Sequence, residues 1–158
     1  MISVVIQTPI LLIDMGEAHG RRGDTMLVSQ VSVYLENQKG RITEVCRLLK
    51  EQGIRIEALS IWDTTDPLIL RMVADKPDRA VAVLKAKGFA VGITQVLAVG
   101  TRGWPGGLPE VISRLEENGV GIEYLYAAIA PREDKSDVLM KVEDPHGAME
   151  LLRDSLVL

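Results

Sequence analysis

The chain has 158 residues, a formal net charge of −4, 47% hydrophobic residues and 25% charged residues. This length can bury roughly 70% of the unfolded surface, enough for one compact domain or two small ones sharing a sheet. The negative charge and an aromatic content of 4% argue against nucleic acid as a partner. A lone cysteine, Cys46, and two distant histidines disfavour a disulfide and a metal site, and they indicate a reducing, cytoplasmic protein without a cofactor.

Residues 1–26 are predicted to be an N-terminal extension. The apolar segment 2–13 is too short to span a bilayer and lacks the basic start of a secretory signal. The run Arg21–Asp24 can be encoded by the purine-rich sequence that positions bacterial ribosomes ahead of a start codon. We therefore expect the natural chain to begin at Met26 and the residues before it to be dispensable. In the alternative interpretation, residues 2–7 are translated and complete a sheet of the second repeat.

Residues 27–95 are predicted to form a first domain. Apolar and polar residues alternate from Val31 to Glu36, which predicts a strand with one buried face. Apolar residues then recur at helical spacing from Ile42 to Leu49, and Gly53 ends that helix. The remaining predicted elements are strands over 54–62, 68–73 and 89–95, a turn over 63–67, and a helix from Pro77 to near Gly88. This order, β-α-β-β-α-β, places two helices on one face of an antiparallel sheet.

Residues 96–158 are predicted to form a second domain because they repeat the first. Equivalent residues lie 66 positions apart, as Val33 and Val99 do, and the second copy adds two residues in its later turn. So regular an internal duplication is typical of a repeated structural unit. The second copy reaches only the beginning of its fourth strand at Leu156–Leu158, so its sheet edge is either bare or completed by another segment.

Each copy has a glycine hinge where its first strand gives way to its first helix. The glycine allows a sharp turn, and the first helical turn leaves N–H groups that suit a small carboxylate. The candidate ligand-binding residues are Asn37, Gln38, Gly40, Arg41 and Ile42 in the first hinge, and Trp104, Gly106, Gly107 and Leu108 in the second. Alternatively, Asn37 only caps the helix or tolerates the turn, and Trp104 is a packing lid.

Two further features concern the sheet face away from the helices. Arg71 is predicted to point to that face, where it either holds a ligand carboxylate or pairs with Glu57 or Glu36. Trp62, Tyr124 and Tyr126 also belong to this face, which predicts an association surface and a homodimer.

No arrangement of residues in the sequence predicts catalysis. There is no GxSxG motif, no phosphate-binding glycine loop and no Ser/His/Asp or Cys/His set. The sequence therefore predicts that the protein is not an enzyme.

The hinges and their flanking segments resemble the ACT domain, an amino-acid-sensing module attached to many biosynthetic enzymes. The segments that carry the resemblance are Gln30–Asn37, Gly53–Ile56, Ile69–Arg71, Pro105–Leu108 and Gly119–Tyr126. Over residues 27–158, the duplicated arrangement resembles small stand-alone proteins made of two ACT domains. The resemblance implies an α+β fold of two tandem ferredoxin-like units, each with an antiparallel sheet and helices on one face.

The resemblance also implies a site. The family binds an amino acid where the hinge of one domain faces another domain, and an asparagine three residues before the glycine often takes part. Asn37 stands at that place, whereas the second copy has Gly103. A second asparagine that is frequent in the family, just after the helix, is replaced by Arg55 and Gly121. The two sites are therefore not expected to be equivalent.

The function implied is a non-catalytic regulatory protein that binds a small amino acid between its ACT units and signals to a biosynthetic enzyme. Two alternatives remain open: a regulatory subunit of acetolactate synthase, and a structural docking protein that uses its open sheet face without any ligand. No membrane partner is expected.

Overall fold

A computed structural model describes residues 25–62, 67–102, 107–129 and 135–155. These residues form an α+β fold of six strands and four helices. The elements are β1 (Thr25–Leu35), α1 (Arg41–Glu51), β2 (Ile56–Trp62), β3 (Leu68–Ala74), α2 (Pro77–Ala86), β4 (Ala90–Arg102), α3 (Gly107–Glu117), β5 (Ile122–Ile129), β6 (Lys135–Val142) and α4 (Pro145–Ser155). Within the described ranges, none of the helices has both the length and the apolar character needed to cross a membrane.

The chain divides into two compact units. Of the described residues, unit 1 contains 29–62 and 67–94, and unit 2 contains 25–28, 95–102, 107–129 and 135–155.

Unit 1 has the strand order β2-β3-β1-β4, in which β3 pairs antiparallel with both β1 and β2. The register places Leu70 opposite Val33 on one side and Ile61 on the other, so these three side chains share one face. That face forms a core with α1 and α2, to which the helices contribute Val45, Leu49, Ala80 and Leu84, all fully buried. Burial of each of the valine and leucine side chains contributes about 1.5–3 kcal/mol.

The opposite face of the unit 1 sheet carries aromatic and polar residues in cross-strand rows. One row consists of Tyr34, Ile69 and Trp62, and Arg71 lies in the next row. Tyr34 is 44% exposed and Trp62 is 38% exposed. The Arg71 guanidinium lies 5.7 Å from the centre of the Trp62 ring, a cation–π distance. The alternation in the sequence therefore predicted the direction of Arg71 correctly.

Three helices end in the same way at a glycine, and at two of these glycines, Gly53 and Gly88, the sequence predicts the helix end. The glycines Gly53, Gly88 and Gly119 have φ of 63°, 85° and 74°. In each case the next residue donates its N–H to a leucine carbonyl five positions earlier. These bonds run from Ile54 to Leu49 (2.9 Å), from Phe89 to Leu84 (3.1 Å) and from Val120 to Leu115 (2.9 Å). The left-handed residue thus satisfies carbonyls that the helix end leaves open.

Two strands that the sequence predicted separately form one strand in the structure. The sequence was interpreted as a strand over 89–95 followed by the first strand of the second copy, but β4 is a single strand of 13 residues. The two predicted strands meet at Gln95 and Val96, and no turn residue lies between them. β-branched residues are present on both sides of this point. β4 therefore supplies the last strand of unit 1 and the first strand of unit 2.

Unit 2 has the strand order β1-β4-β6-β5, with residues 25–28 of β1 in the position of the fourth strand. Leu27 packs against the unit 2 core, and the Nε–H of Arg153 donates to the Thr25 carbonyl at 3.4 Å. The fully buried members of that core include Leu97, Leu115, Val138, Met140, Val142 and Ala148. The fourth strand predicted at residues 156–158, and the alternative strand at residues 2–7, lie outside the described residues.

The place of β1 in unit 2 can be tested by shortening the chain. A chain whose initiator methionine is followed by Thr25 should keep its stability, whereas one that begins at Ser29 should lose at least about 2 kcal/mol because Leu27 and Val28 no longer cover apolar surface. Urea unfolding measures both. If the two shortened chains were equally stable, residues 25–28 would not be a needed strand of unit 2.

Candidate functional site

The first hinge is an exposed loop between β1 and α1. Asn37, Gln38 and Gly40 are all exposed to solvent. The loop is closed by main-chain bonds from the Gln38 N–H to the Glu36 carbonyl (2.8 Å) and from the Arg41 N–H to the Gln38 carbonyl (3.4 Å). Gly40 is the residue before the helix, with φ 90° and ψ −15°. A side chain at Gly40 would meet no atom within 4 Å, so this left-handed backbone alone is what favours glycine there.

The start of α1 leaves main-chain donors available. The first helical bond runs from the Glu44 N–H to the Gly40 carbonyl at 2.9 Å, and no side chain caps the helix. Among the described residues, no acceptor bonds the N–H groups of Ile42 and Thr43. These donors lie at the positive end of the helix dipole, where an anion is stabilised. Asn37 was predicted to cap the helix, to tolerate the turn or to contact a ligand, and it does not cap the helix.

Arg41 is held in place at the hinge. Its Nη1 lies 2.6 Å from Glu44 Oε2, and its guanidinium lies 5.0 Å from the centre of the Phe89 ring. Its Nε is buried and has no hydrogen-bond partner among the described residues. Ile42, the next hinge residue, is half-buried and packs against the unit 1 core. Arg41 is therefore a fixed cation beside the exposed loop, whereas Ile42 anchors the helix.

The second hinge is described only in part. Gly107 and Leu108 begin α3, both half-buried, and Leu108 packs against the unit 2 core. Trp104 and Gly106 lie outside the described residues. Gly107 occupies the repeat position of Arg41, so the second hinge lacks the cation of the first.

Unit 2 also contains a cleft of about 480 Å³ along α3. Apolar residues and charged residues of α3 both line it. The lining residues are Val99, Gly100, Pro109, Glu110, Val111, Ser113, Arg114, Glu117 and Leu152. The volume is in the range of small-ligand sites. Neither Gly107 nor Leu108 lines it, so these predicted ligand residues and the cleft do not coincide.

The sequence interpretation missed the most unusual polar group of unit 1. Glu57 lies in β2 and is only 2% exposed. It is the extra residue of a β-bulge, because Ile56 pairs with Ala74 and Ala58 with Val73. Its Oε1 lies 3.3 Å from Arg55 Nη2, and its Oε2 has no hydrogen-bond partner among the described residues.

Burial raises the pKa of the Glu57 carboxyl. The adjacent Arg55 guanidinium opposes that shift in pKa, and the charge of Asp75 adds to it. Asp75 is tied to Arg55 through the main chain: its Oδ1 accepts the Arg55 N–H at 2.8 Å, and its own N–H donates to the Arg55 carbonyl at 3.0 Å. Arg55 and Asp75 thus fasten the beginning of β2 to the end of β3.

The second copy repeats this bulge. Its extra residue is Glu123, because Ile122 pairs with Val142 and Tyr124 with Lys141. The Glu123 side chain is 51% exposed and lies 3.8 Å from the Lys141 ammonium. A glutamate at the same repeat position in both copies was the signal available in the sequence.

Comparison with known proteins gives one family. The model of the ACT domain pair matches residues 26–155. No curated protein sequence is similar enough to count as a match.

Solved structures with this fold include protein BT0572 from Bacteroides thetaiotaomicron, which is 34% identical, with a TM-score of 0.77 over 83% of this chain and 90% of that one. The regulatory subunit of aspartate kinase from Thermus thermophilus is 16% identical, with a TM-score of 0.58 over 84% of this chain and 96% of that one. Its counterpart from Thermus flavus is 18% identical, with a TM-score of 0.58 over 85% and 97%. At these lower identities the likeness to the two subunits concerns the fold.

Glu57→Gln should change the pH dependence of stability. Because burial raises the pKa of Glu57 in the folded state, its contribution to stability is present at acidic pH and is lost as the pH rises through that pKa. The variant should therefore gain stability relative to wild type between about pH 4 and pH 8. Urea unfolding across this range measures the difference. Glu123→Gln, which removes a half-exposed carboxylate at the equivalent position, is the control. A difference that stayed constant or shrank with pH would contradict the prediction.

Proposed function

This chain belongs to the family of ACT domain pairs, and on that premise we propose that it is a non-catalytic regulatory protein that binds a small amino acid at its first hinge. The observation that carries the proposal is the exposed start of α1, where the N–H groups of Ile42 and Thr43 have no acceptor among the described residues. The likeness to regulatory subunits of aspartate kinase supports the regulatory part of the proposal.

The hinge offers groups for both ends of a zwitterion. The ligand carboxylate would accept the Ile42 and Thr43 N–H groups at the positive end of α1. Its ammonium group would be bound by the amide oxygen of Asn37 or by main-chain carbonyls of the loop. Arg41 adds positive charge beside the carboxylate, held there by Glu44 and Phe89. The second hinge, with Gly107 at the repeat position of Arg41, would bind such a ligand less well.

A partner protein would respond to the binding of the amino acid. The proposed partner is a biosynthetic enzyme in the same cytoplasm, and the proposed assembly is a homodimer. Tyr34 and Trp62 are exposed at one end of the unit 1 sheet face that lies away from the helices, and they favour association through that end. The same observation favours the second candidate function, a docking protein that needs no ligand.

We expect one of the twenty amino acids to bind with micromolar-range affinity, about 5 to 8 kcal/mol. Since the unfolded chain has no hinge, about 10 mM of that amino acid should raise the melting temperature by roughly 5 °C or more. Asn37→Ala should weaken binding by about 1–3 kcal/mol through loss of its amide. Thermal unfolding with each amino acid in turn makes the measurement. No shift with any of them would favour the docking function.

A pair of glycine variants distinguishes an effect on binding at the hinge from a general loss of stability. Gly40 and Gly88 both have left-handed backbones, and at both an added side chain would meet no atom within 4 Å. Gly40→Ala and Gly88→Ala should therefore cost similar stability, about 1–2 kcal/mol, through strain. Only Gly40→Ala should weaken amino-acid binding, as calorimetric titration would show. Equal losses of binding would mean that the hinge is not the site.

Replacing Trp62 by serine should lower the mass measured by light scattering, because the exposed end of this sheet face would lose its largest exposed apolar group. The matched control is Ile93→Ser, which is 48% exposed. A Cβ on Gly92 would meet Tyr34, so Ile93, the next residue of β4, faces the opposite side. An unchanged mass for Trp62→Ser, or an equal change for both variants, would contradict association through this face.

A further inference from the structure

The cleft along α3 of unit 2 has a smaller counterpart in unit 1. The counterpart has a volume of about 140 Å³, whereas the cleft of unit 2 has about 480 Å³. Glu44 and Glu51 of α1 line the smaller one, and Glu110 and Glu117, each 66 positions later, line the larger one. The duplication therefore allows the walls of the two clefts to be compared residue by residue.

In unit 1 the carboxylates of this wall are paired within the same helix. Glu44 Oε2 lies 2.6 Å from Arg41 Nη1, and Glu51 Oε1 lies 3.8 Å from Arg47 Nε. The partners are three and four positions apart, which is the spacing at which side chains meet on the surface of a helix. Each carboxylate of unit 1 thus has its own cation.

In unit 2 the equivalent carboxylates have lost those cations. The positions of the two arginines are occupied by Gly107 and Ser113. Among the described residues, no cation lies within ion-pair distance of Glu110 or Glu117. Arg114 lies between them on the same face of α3, and it has no ion pair in the described part of the chain either. Two negative groups and one positive group therefore line the cleft unpaired with any described residue.

The apolar part of the wall differs as well. In unit 1, Val45 is fully buried and Leu48 packs against the core. Val111 and Arg114 occupy these two positions in unit 2. Val111 is only half-buried, and Arg114 is exposed. The wall of unit 2 therefore has an arginine where unit 1 has an aliphatic side chain, and its valine keeps exposed apolar surface.

We propose that the cleft of unit 2 binds a free α-amino acid with an aliphatic side chain. The ammonium group of the ligand would lie at Glu110 and Glu117 in place of the lost arginines, and its carboxylate would pair with Arg114. Its side chain would cover Val111, a role for which Leu48 is available in unit 1. The volume of the cleft suffices for so small a ligand. The inference does not rest on binding at the first hinge.

The test is a titration of the full chain with L-leucine, followed by NMR of the main-chain amides. The amides of residues 109–117 should shift. Arg114→Gln should weaken the binding that these shifts report by at least about tenfold, because the ligand carboxylate loses its guanidinium partner. The matched control is Arg79→Gln, which removes an exposed arginine from α2 of unit 1 and should leave the affinity unchanged.

Three relatives of leucine test the contacts one at a time. Leucinamide lacks the carboxylate, isocaproate lacks the ammonium group, and glycine lacks the aliphatic side chain. Each should bind at least about tenfold more weakly than leucine. A double variant, Ser113→Arg with Arg114→Leu, rebuilds the wall of unit 1. It should abolish binding, because the chain then supplies the cation and the apolar cover itself.

The same titration separates the cleft from the first hinge. Shifts of residues 109–117 that persist in Gly40→Ala would support the cleft, even if residues 37–43 did not shift and binding at the hinge failed. Shifts confined to residues 37–43 would overturn the proposal and leave binding at the hinge standing. The proposal would also be overturned if glycine bound as well as leucine, or if Arg114→Gln and Arg79→Gln weakened binding equally. Should Arg114→Gln fail to fold, the double variant decides by the same measurement.

Discussion

The constraint on which this fold depends is that two helices need a four-stranded sheet to bury their apolar faces. Unit 1 meets it with β1, β2, β3 and the first part of β4. Unit 2 obtains β5, β6 and the second part of β4 from its own stretch of chain, and its fourth position is occupied by residues 25–28. β1 and β4 therefore each serve two cores. This explains why they are the longest strands described, with 11 and 13 residues.

The position of β1 also determines where the first hinge lies. Gly40 and the loop before it follow directly on β1, whose last residues, Val33 and Leu35, are fixed in the core of unit 1. The loop itself is exposed, and its bonds are short-range main-chain contacts. The residues proposed to bind a ligand at this hinge therefore lie mostly in the exposed loop and not in the core. A binding loop on a fixed scaffold is how many proteins separate stability from recognition.

Much of this could be predicted from the sequence, because the relevant signals are local. The alternation of apolar and polar residues predicted the directions of the Val33 and Arg71 side chains. The glycines indicated the helix ends, since each left-handed residue terminates its helix in the same way. The continuity of β4 was missed because the duplication suggested that one strand ends and another begins where the second copy starts, whereas a single strand runs through that point. Glu57 was missed because its burial depends on the bulge, and a bulge is set by pairing with β3 rather than by residues next to it.

The two copies differ in the cation that lies near the carboxylate of the bulge. In unit 1 the cation is Arg55, two residues before Glu57 on the same strand. In unit 2 the equivalent of Arg55 is Gly121, and the cation is instead Lys141 on the neighbouring strand. Lys141 stands where unit 1 has the buried Val73. The position of the cation has therefore changed between the copies while the carboxylate and its bulge have stayed. What both copies retain is a negative charge at the outer strand with a positive charge near it. The exposure of the two partners is reversed between the copies: in unit 1 the glutamate is buried and the arginine is 54% exposed, whereas in unit 2 the glutamate is 51% exposed and the lysine 21%.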